Sequence, residues 1–274
     1  MPEKPASSPK ERKQNRYAAI IGDIFERHYK NGLIEFEFTR AEFEEVAKKL
    51  DIVLPKNLGD ILYSFRFRAV LPPEIVATAG DDLEWIIELA GRGRSRFRLA
   101  KLAIIVPNPN MLAIKIPDAT PELIAMYALT DEQAVLAKVR YNRLMDIFLG
   151  ITTYSLQNHL RTTVRAMGDA QIEIDELYVG VNRHGEHFIL PVQAKGGNDR
   201  VNVVQTIQDV TWCRERFPLL TCRSVSAQFM TGDVIALFEL ALDGRDVKIV
   251  EEKHYKLVPG DQIREADLQL YAKR

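Results

Sequence analysis

Apolar positions recur along this chain with two different periods, and the change from one to the other lays out the expected elements. From Tyr17 onward, Ile20, Ile21, Ile24 and Phe25 fall on one helical stripe. Residues 1–16 carry no such stripe and predict a disordered basic tail. Thr39-Arg40-Ala41-Glu42 has the spacing of a capping box, in which Glu42 reaches back to the Thr39 amide, and it opens a helix running to about Leu50. A third helix is expected over 56–68. Residues 83–89 and 97–102 read as two strands about the tip Gly91-Arg92-Gly93-Arg94-Ser95. Beyond Ile116 the character changes, and Thr120-Pro121 marks a helix start. Thr130-Asp131-Glu132-Gln133 is a second capping box, opening a long helix through Ala137, Val139, Leu144 and Phe148. Residues 155–161 read as helical. Two β-rich runs follow at 171–179 and 189–195, then a helix at 203–217, a strand at 222–230 and a strand pair at 233–240 and 247–255. The class is therefore α/β (α+β).

At 274 residues and 46% hydrophobic content the chain can fill two cores. The boundary is expected at the change of character, giving a tail at 1–16, a first domain at 17–115 and a second at 116–274. No apolar run approaches the roughly 20 residues that cross a bilayer, and the start is polar and basic instead of signal-like, so a cytoplasmic protein without a membrane partner is expected. Cys213 and Cys222 are the only cysteines, too few for a disulfide framework or a four-cysteine zinc site. His184 and His187 have a His-X-X-His spacing, but no third ligand completes a zinc site and they read as turn and surface residues. No Gly-X-Gly-X-X-Gly follows a strand, which argues against a dinucleotide-binding role. The net charge of −1 conceals local basic clusters, at Lys4, Lys10, Arg12, Lys13 and Arg16 and again at Arg92, Arg94, Arg96, Arg98 and Lys101.

The chemistry concentrates in the two β-rich runs. Asn182-Arg183-His184-Gly185 supplies the turn residues of a hairpin, and a turn centred on His184 places Asp175 opposite Gln193 and Glu173 opposite Lys195. Directly opposed side chains lie roughly 5 Å apart at Cβ. A carboxylate, an amide oxygen and an ammonium at that spacing can hold a hard divalent cation and a phosphate oxygen between them.

These residues resemble the PD-(D/E)XK nuclease superfamily, whose core hairpin carries an Asp on one strand and a (Glu/Asp/Gln)-X-Lys triplet on the next. Ile174-Asp175 and Gln193-Ala194-Lys195 fill those positions. The glutamine variant is similar to that of Mrr-type restriction endonucleases, and the Glu-Ile-Asp phrase to archaeal Holliday-junction resolvases. The likeness spans roughly the last 120 residues, and implies a restriction-endonuclease-like αβββαβ core with a mixed sheet. It implies that Asp175 binds Mg²⁺ (with Mn²⁺ able to substitute), that Gln193 gives its side-chain carbonyl to the same ion, and that Lys195 orients the attacking water or stabilises transition-state charge. Gln193 brings one negative charge fewer than the commoner Glu, so another carboxylate should join. Glu173 is the first candidate, with Glu176 as the alternative if a bulge changes the register. On charge alone, Gln193→Glu should preserve or strengthen the metal site. Superfamily members also use a Glu or Gln from the helix before the hairpin, which nominates Gln157, with Arg161 one turn later as a phosphate contact.

Three helices followed by a basic hairpin resemble a winged helix, in which the third helix enters the major groove and the wing lies on a phosphate backbone or in the adjacent minor groove. That resemblance nominates Asn57, Tyr63, Ser64, Arg66 and Arg68 for DNA contact, Lys56 for phosphate, and Arg92, Arg94 and Arg96 for the wing. The joint expectation is a Mg²⁺-dependent DNA endonuclease of the type II restriction kind acting on double-stranded DNA. It would work as a homodimer, with a cognate DNA methyltransferase as a possible partner. An inactive winged-helix DNA-binding regulator and a structure-selective repair or junction nuclease are the alternatives.

Overall fold

The stripe at Ile20, Ile21, Ile24 and Phe25 is carried by α1 (Pro9–His28) in the computed structural model, which describes residues 9–67, 69–127, 132–196 and 199–273. The expected tail is thus corrected for 9–16: Pro9 stands in the first turn, where a missing N–H costs nothing, and Lys, Glu, Arg and Gln are good helix formers. Residues 1–8 lie outside the described residues.

The chain divides into two units, Met1–Ala103 with Met167–Ala170, and Ile104–Ala166 with Gln171–Arg274. In the first, α1 is followed by β1 (Glu35–Thr39), α2 (Arg40–Lys49), α3 (Gly59–Phe67), a single turn α4 (Pro73–Val76), β2 (Glu84–Leu89) and β3 (Arg94–Ala100). The Thr39 amide donates to Glu42 Oε1 at 2.7 Å, so the local capping signal sets the start of α2. The sheet order is β1-β3-β2, all antiparallel. Its core is aromatic, with Phe25 within 4.9 to 5.3 Å of Tyr29, Phe36, Trp85 and Phe97 by ring centroid.

The second unit holds β4 (Ile104–Ile105), β5 (Ala113–Pro117), α5 (Glu122–Tyr127), α6 (Glu132–Tyr141), α7 (Leu144–Leu149), β6 (Thr152–Val164), β7 (Ala170–Val181) and β8 (His187–Lys195). These are followed by β9 (Val201–Asn202), α8 (Val203–Arg216), β10 (Thr221–Cys222), β11 (Ser224–Met230), β12 (Val234–Asp243), β13 (Asp246–Val258) and α9 (Glu265–Tyr271). The division therefore falls between 103 and 104 and not at 115/116, because β5 pairs in parallel with β13, which tethers residues 113–117 to the second sheet.

That sheet is mixed, in the order β5-β13-β12-β11-β8-β7-β6. β8 and β11 run parallel through the α8 crossover, and β7–β8 and β11–β12–β13 are antiparallel. One face packs Tyr178, Phe188, Leu190, Val192 and Ala194 against Val135, Leu136 and Val139 of α6 and Leu144, Met145 and Phe148 of α7. The expected single helix over 132–148 is broken: Arg143 adopts a left-handed φ of 49°, and Asn142 Nδ2 donates to Lys138 O at 2.9 Å, closing α6. The Thr130-Asp131 half of its capping box lies outside the described residues. Residues 155–161 are also corrected, since they are strand in β6 and not helix. The i, i+4 pair Leu156 and Leu160 mimics a helical stripe, but pairing with β7 decides the conformation.

Among the described residues, no helix is long and apolar enough to cross a membrane.

Candidate active site at the splayed end of a hairpin

The β7–β8 hairpin is built locally. Asn182 Oδ1 accepts from the His184 and Glu186 amides at 2.9 and 3.1 Å, and Gly185 takes a φ of +79° that a side chain would strain. The ladder runs from Val181↔His187 to Glu176↔Val192, the register expected for a turn centred on His184. There it stops. One residue further on, side chains replace the main-chain ladder: Asp175 Oδ2 accepts from the Ala194 amide at 2.8 Å, and Gln193 Nε2 donates to Glu173 O at 3.1 Å. Asp175 and Gln193 thus each bridge the two strands just beyond the end of the ladder.

Gln193 is buried, and its Nε2 also donates to Asp209 Oδ2 of α8 at 2.7 Å. Both amide hydrogens are therefore committed, while Gln193 Oε1 is buried with no donor. Rotating the carboxamide by half a turn would set its oxygen against two acceptors, so the assignment follows from the network. Lys195, the last residue of β8, is buried too, and its Nζ lies 3.6 Å from Glu132 Oε1 at the start of α6. Burial pushes the Asp175 carboxyl above the usual carboxylate range; Lys195 pulls it back, and the charges of Glu132 and Glu173 push it higher. Burial also pushes the Asp209 carboxyl above the usual carboxylate range, opposed by its bond from Gln193.

Buried polar atoms in native proteins almost always have partners, so each exception calls for a physical explanation. Among the described residues such exceptions occur on both faces of the sheet: Glu176 Oε2 and Tyr178 OH on the face of α6 and α7, and Gln193 Oε1, Ser226 Oγ and Gln228 Oε1 on the other. Ser226 pairs in register with Gln193 and Gln228 with Lys195 across the parallel β8–β11 ladder, so all four side chains leave the same face of the sheet. The last three oxygens therefore lie beside the Gln-Ala-Lys triplet. No three His, Cys, Asp or Glu side chains form a metal-holding group among the described residues. The oxygens that could face a cation here are instead those of Asp175, Glu132 and the Gln193 carboxamide, with the Lys195 ammonium beside Glu132.

Other nominated residues fall elsewhere. Glu173 turns toward β6, where it pairs with Arg161 at 3.3 Å and His159 at 3.5 Å, and only its backbone carbonyl touches Gln193. Glu176 projects to the opposite face, fully buried, where it accepts from Arg140 Nε at 2.9 Å and from Ser155 Oγ. Gln157 sits exposed on β6, a strand, so the helix it was meant to represent is elsewhere. The helices that precede the hairpin are α6 and α7, and the side chain they bring to Lys195 is Glu132. Sequence reading noticed Glu132 only as part of a cap, and it missed Asp209 altogether. A lone Asp within the apolar run of α8, buried among Ile207, Val210 and Cys213, was the available signal.

In the first unit, Lys56 and Arg92 are exposed as a phosphate contact requires. Tyr63 is half-exposed and meets Phe67 edge-on at 5.0 Å, and Ser64 is half-buried. Asn57 works at the start of α3, accepting from Gly59 N at 3.1 Å and donating to Asp60 Oδ1 at 2.9 Å. Arg66 is corrected from a DNA contact to a core residue: it is 8% exposed and donates to Ile87 O and Ser95 Oγ at 3.0 and 3.2 Å. Arg94 and Arg96 belong to β3 instead of a loop tip, and both pair with Glu37 of β1, at 3.1 and 2.7 Å. Arg98 forms a buried pair with Glu88 at 2.9 Å. Arg68 lies outside the described residues. Comparison with protein-family models, curated proteins and solved structures finds no match for this chain.

Proposed function

We propose that the chain is a divalent-metal-dependent endonuclease that hydrolyses phosphodiester bonds in DNA, with its reactive centre at Glu132, Asp175, Gln193 and Lys195. The observation that carries this reading is the buried, donorless Gln193 Oε1, set just beyond the end of the β7–β8 ladder with Asp175 on one side of it in sequence register and Lys195 two residues on. An orphaned carbonyl oxygen beside poorly solvated carboxylates is a mismatch that a hard cation relieves. Setting aside the two-residue strands β9 and β10, the order α7-β6-β7-β8-α8-β11, with β8 parallel to β11, supports the αβββαβ core implied by the resemblance to PD-(D/E)XK nucleases.

Asp175, Gln193 Oε1 and Glu132 are the groups that would hold Mg²⁺. When bound, the ion supplies Lewis-acid stabilisation of phosphate charge and acidifies a coordinated water. The chain's own part is positional and electrostatic. The Ala194 amide fixes the Asp175 carboxylate, so it is already oriented before any ligand arrives. Lys195, held in a largely dry setting next to Glu132, presents an ammonium where its attraction for a phosphoryl oxygen is weakly screened. Arg161, exposed on β6 in a solvent-facing pair with Glu173, can exchange that partner for a neighbouring phosphate. Double-stranded DNA as the substrate is supported by the first unit, whose order α1-β1-α2-α3-α4-β2-β3 and β1-β3-β2 sheet fit a winged helix with one added turn, with Lys56 and Arg92 as exposed cations. Cutting both strands calls for two such centres, hence a homodimer.

The test is supercoiled plasmid with Mg²⁺ or Mn²⁺, for the native chain and for Asp175→Ala, Lys195→Ala and Glu132→Gln. The native chain should nick or linearise the plasmid, and each variant should lose about 10²-fold or more, the usual loss when one electrostatic group is removed from a reactive centre. A folded native chain that leaves plasmid intact with either metal refutes the enzyme. Gln193, a neutral amide where a carboxylate would hold a cation more tightly, favours one second reading, a DNA-binding regulator with an inactive nuclease-like unit; binding without cutting would support it. Preference for branched over linear duplex would instead indicate a junction nuclease.

A further inference from the structure

Gln193 stands where a carboxylate would give a cation a stronger ligand, and the structure supplies a reason. Its Nε2 faces two acceptors at once, Glu173 O at 3.1 Å and Asp209 Oδ2 at 2.7 Å. Asp209 is 1% exposed, on a helix that directly follows β9, itself paired with β4, and whose start is fixed by Asn202 Oδ1 accepting from Val204 N at 2.8 Å. Turning away from its partner would leave the Asp209 carboxyl buried without that bond, which is costly.

We propose that Asp209 is a positioning residue of the cation site. By accepting from Nε2 it holds the Gln193 carboxamide in the one orientation that leaves Oε1 free, and it makes an amide the group that fits at 193. The inference rests on the metal-dependent reading given under Proposed function. It also reverses an expectation drawn from charge alone: a glutamate at 193 would turn a third acceptor toward two existing ones, so Gln193→Glu should weaken the site while Asp209 is present. An asparagine at 209 can offer Nδ2 to that glutamate, so the double exchange restores the donor–acceptor match.

The experiment measures Mn²⁺ uptake by the full chain, from the free-ion signal in electron paramagnetic resonance, with far-UV circular dichroism to verify folding. For Asp209→Leu we expect affinity to fall about 10- to 100-fold, the loss typical when a partner that orients a ligand is removed. Asp209→Asn should stay within about threefold of the native chain, because its Oδ1 can accept the same bond. Gln193→Glu should bind about tenfold more weakly, and Gln193→Glu combined with Asp209→Asn should recover most of that loss, a coupling that independent sites do not show. Should Asp209→Leu not fold, the comparison of Gln193→Glu with the double exchange decides. Tighter Mn²⁺ binding by Gln193→Glu with Asp209 in place, or additive effects in the double exchange, overturns the role of Asp209 while leaving the metal site standing. A native chain that takes up no Mn²⁺ overturns the metal reading itself, and this inference with it.

Discussion

Arg66 offers the sharpest test of how the basic residues of the first unit are used. A DNA contact and a core arginine respond oppositely to replacement: the first costs affinity and little stability, the second costs stability. Arg66 is buried, and burial lowers its guanidinium to about 10, with Glu88 opposing, so it is still charged at neutral pH. Arg66→Met keeps the apolar stem and deletes the bonds to Ile87 O and Ser95 Oγ. Each acceptor left unpaired in the interior costs about 1–3 kcal/mol, partly offset because a buried charge is removed as well. Glu88 keeps its pair with Arg98, so the larger penalty of an isolated buried carboxylate does not arise. A net loss of about 3 kcal/mol follows, which for a unit of this size lowers its melting temperature by about 12–24 °C. Trp85 reports this transition by fluorescence in a Trp212→Phe background, since each unit holds one of the chain's two tryptophans. DNA affinity measured well below the transition should be almost unchanged. If Arg66→Met melts like the native chain and loses DNA binding, Arg66 is a contact residue and the reasoning fails.

Arg92→Ala should instead leave the melt within about 0.5 kcal/mol and reduce the slope of log K against log salt by about 0.9 in duplex binding titrations. An unchanged slope removes Arg92 from the interface. Glu37→Gln releases Arg94 and Arg96 from their shared carboxylate and should strengthen salt-sensitive duplex binding, read from the same titrations. Glu176→Ala leaves Arg140 facing a buried gap and should cost the second unit about 3 kcal/mol in urea unfolding, the low end for a broken buried pair because Arg140 is partly exposed. Asp23 is held below its ordinary carboxyl value of 3.8, first by its bond from Lys49. A group depressed on folding contributes stability above its unfolded value and loses it as pH falls through its folded one. Asp23→Asn should therefore flatten the acid limb below about pH 4 of a stability–pH curve for the first unit, and an unaltered limb counts against the Lys49 and Arg27 pairs.

Elements whose cause is local were legible in the residue order. The α2 cap at Thr39 and Glu42, the stripe of α1 and the Asn182–Gly185 turn depend on neighbours a few positions apart, and the turn alone fixed a register that carried Asp175 toward Gln193 and Lys195. Tertiary structure decided whatever depends on a partner far along the chain. Residues 155–161 carry a helix-like Leu156–Leu160 spacing, yet they form a strand because β7 offers them a ladder. The arginines of β3 look alike in the sequence. Whether each one is free, paired or buried is set by Glu37, which lies 57 and 59 residues away from Arg94 and Arg96, and by Glu88 across the β2–β3 ladder. Glu132 and Asp209 reach the site from helices in different layers, and an isolated acid on a helix has no local signature of what it will face. Charge type and spacing determined which chemistry this chain could carry. Long-range pairing and burial selected the side chains positioned to carry it, because the strength of a charge or hydrogen bond depends on the solvent it has lost, and only the folded chain removes that solvent.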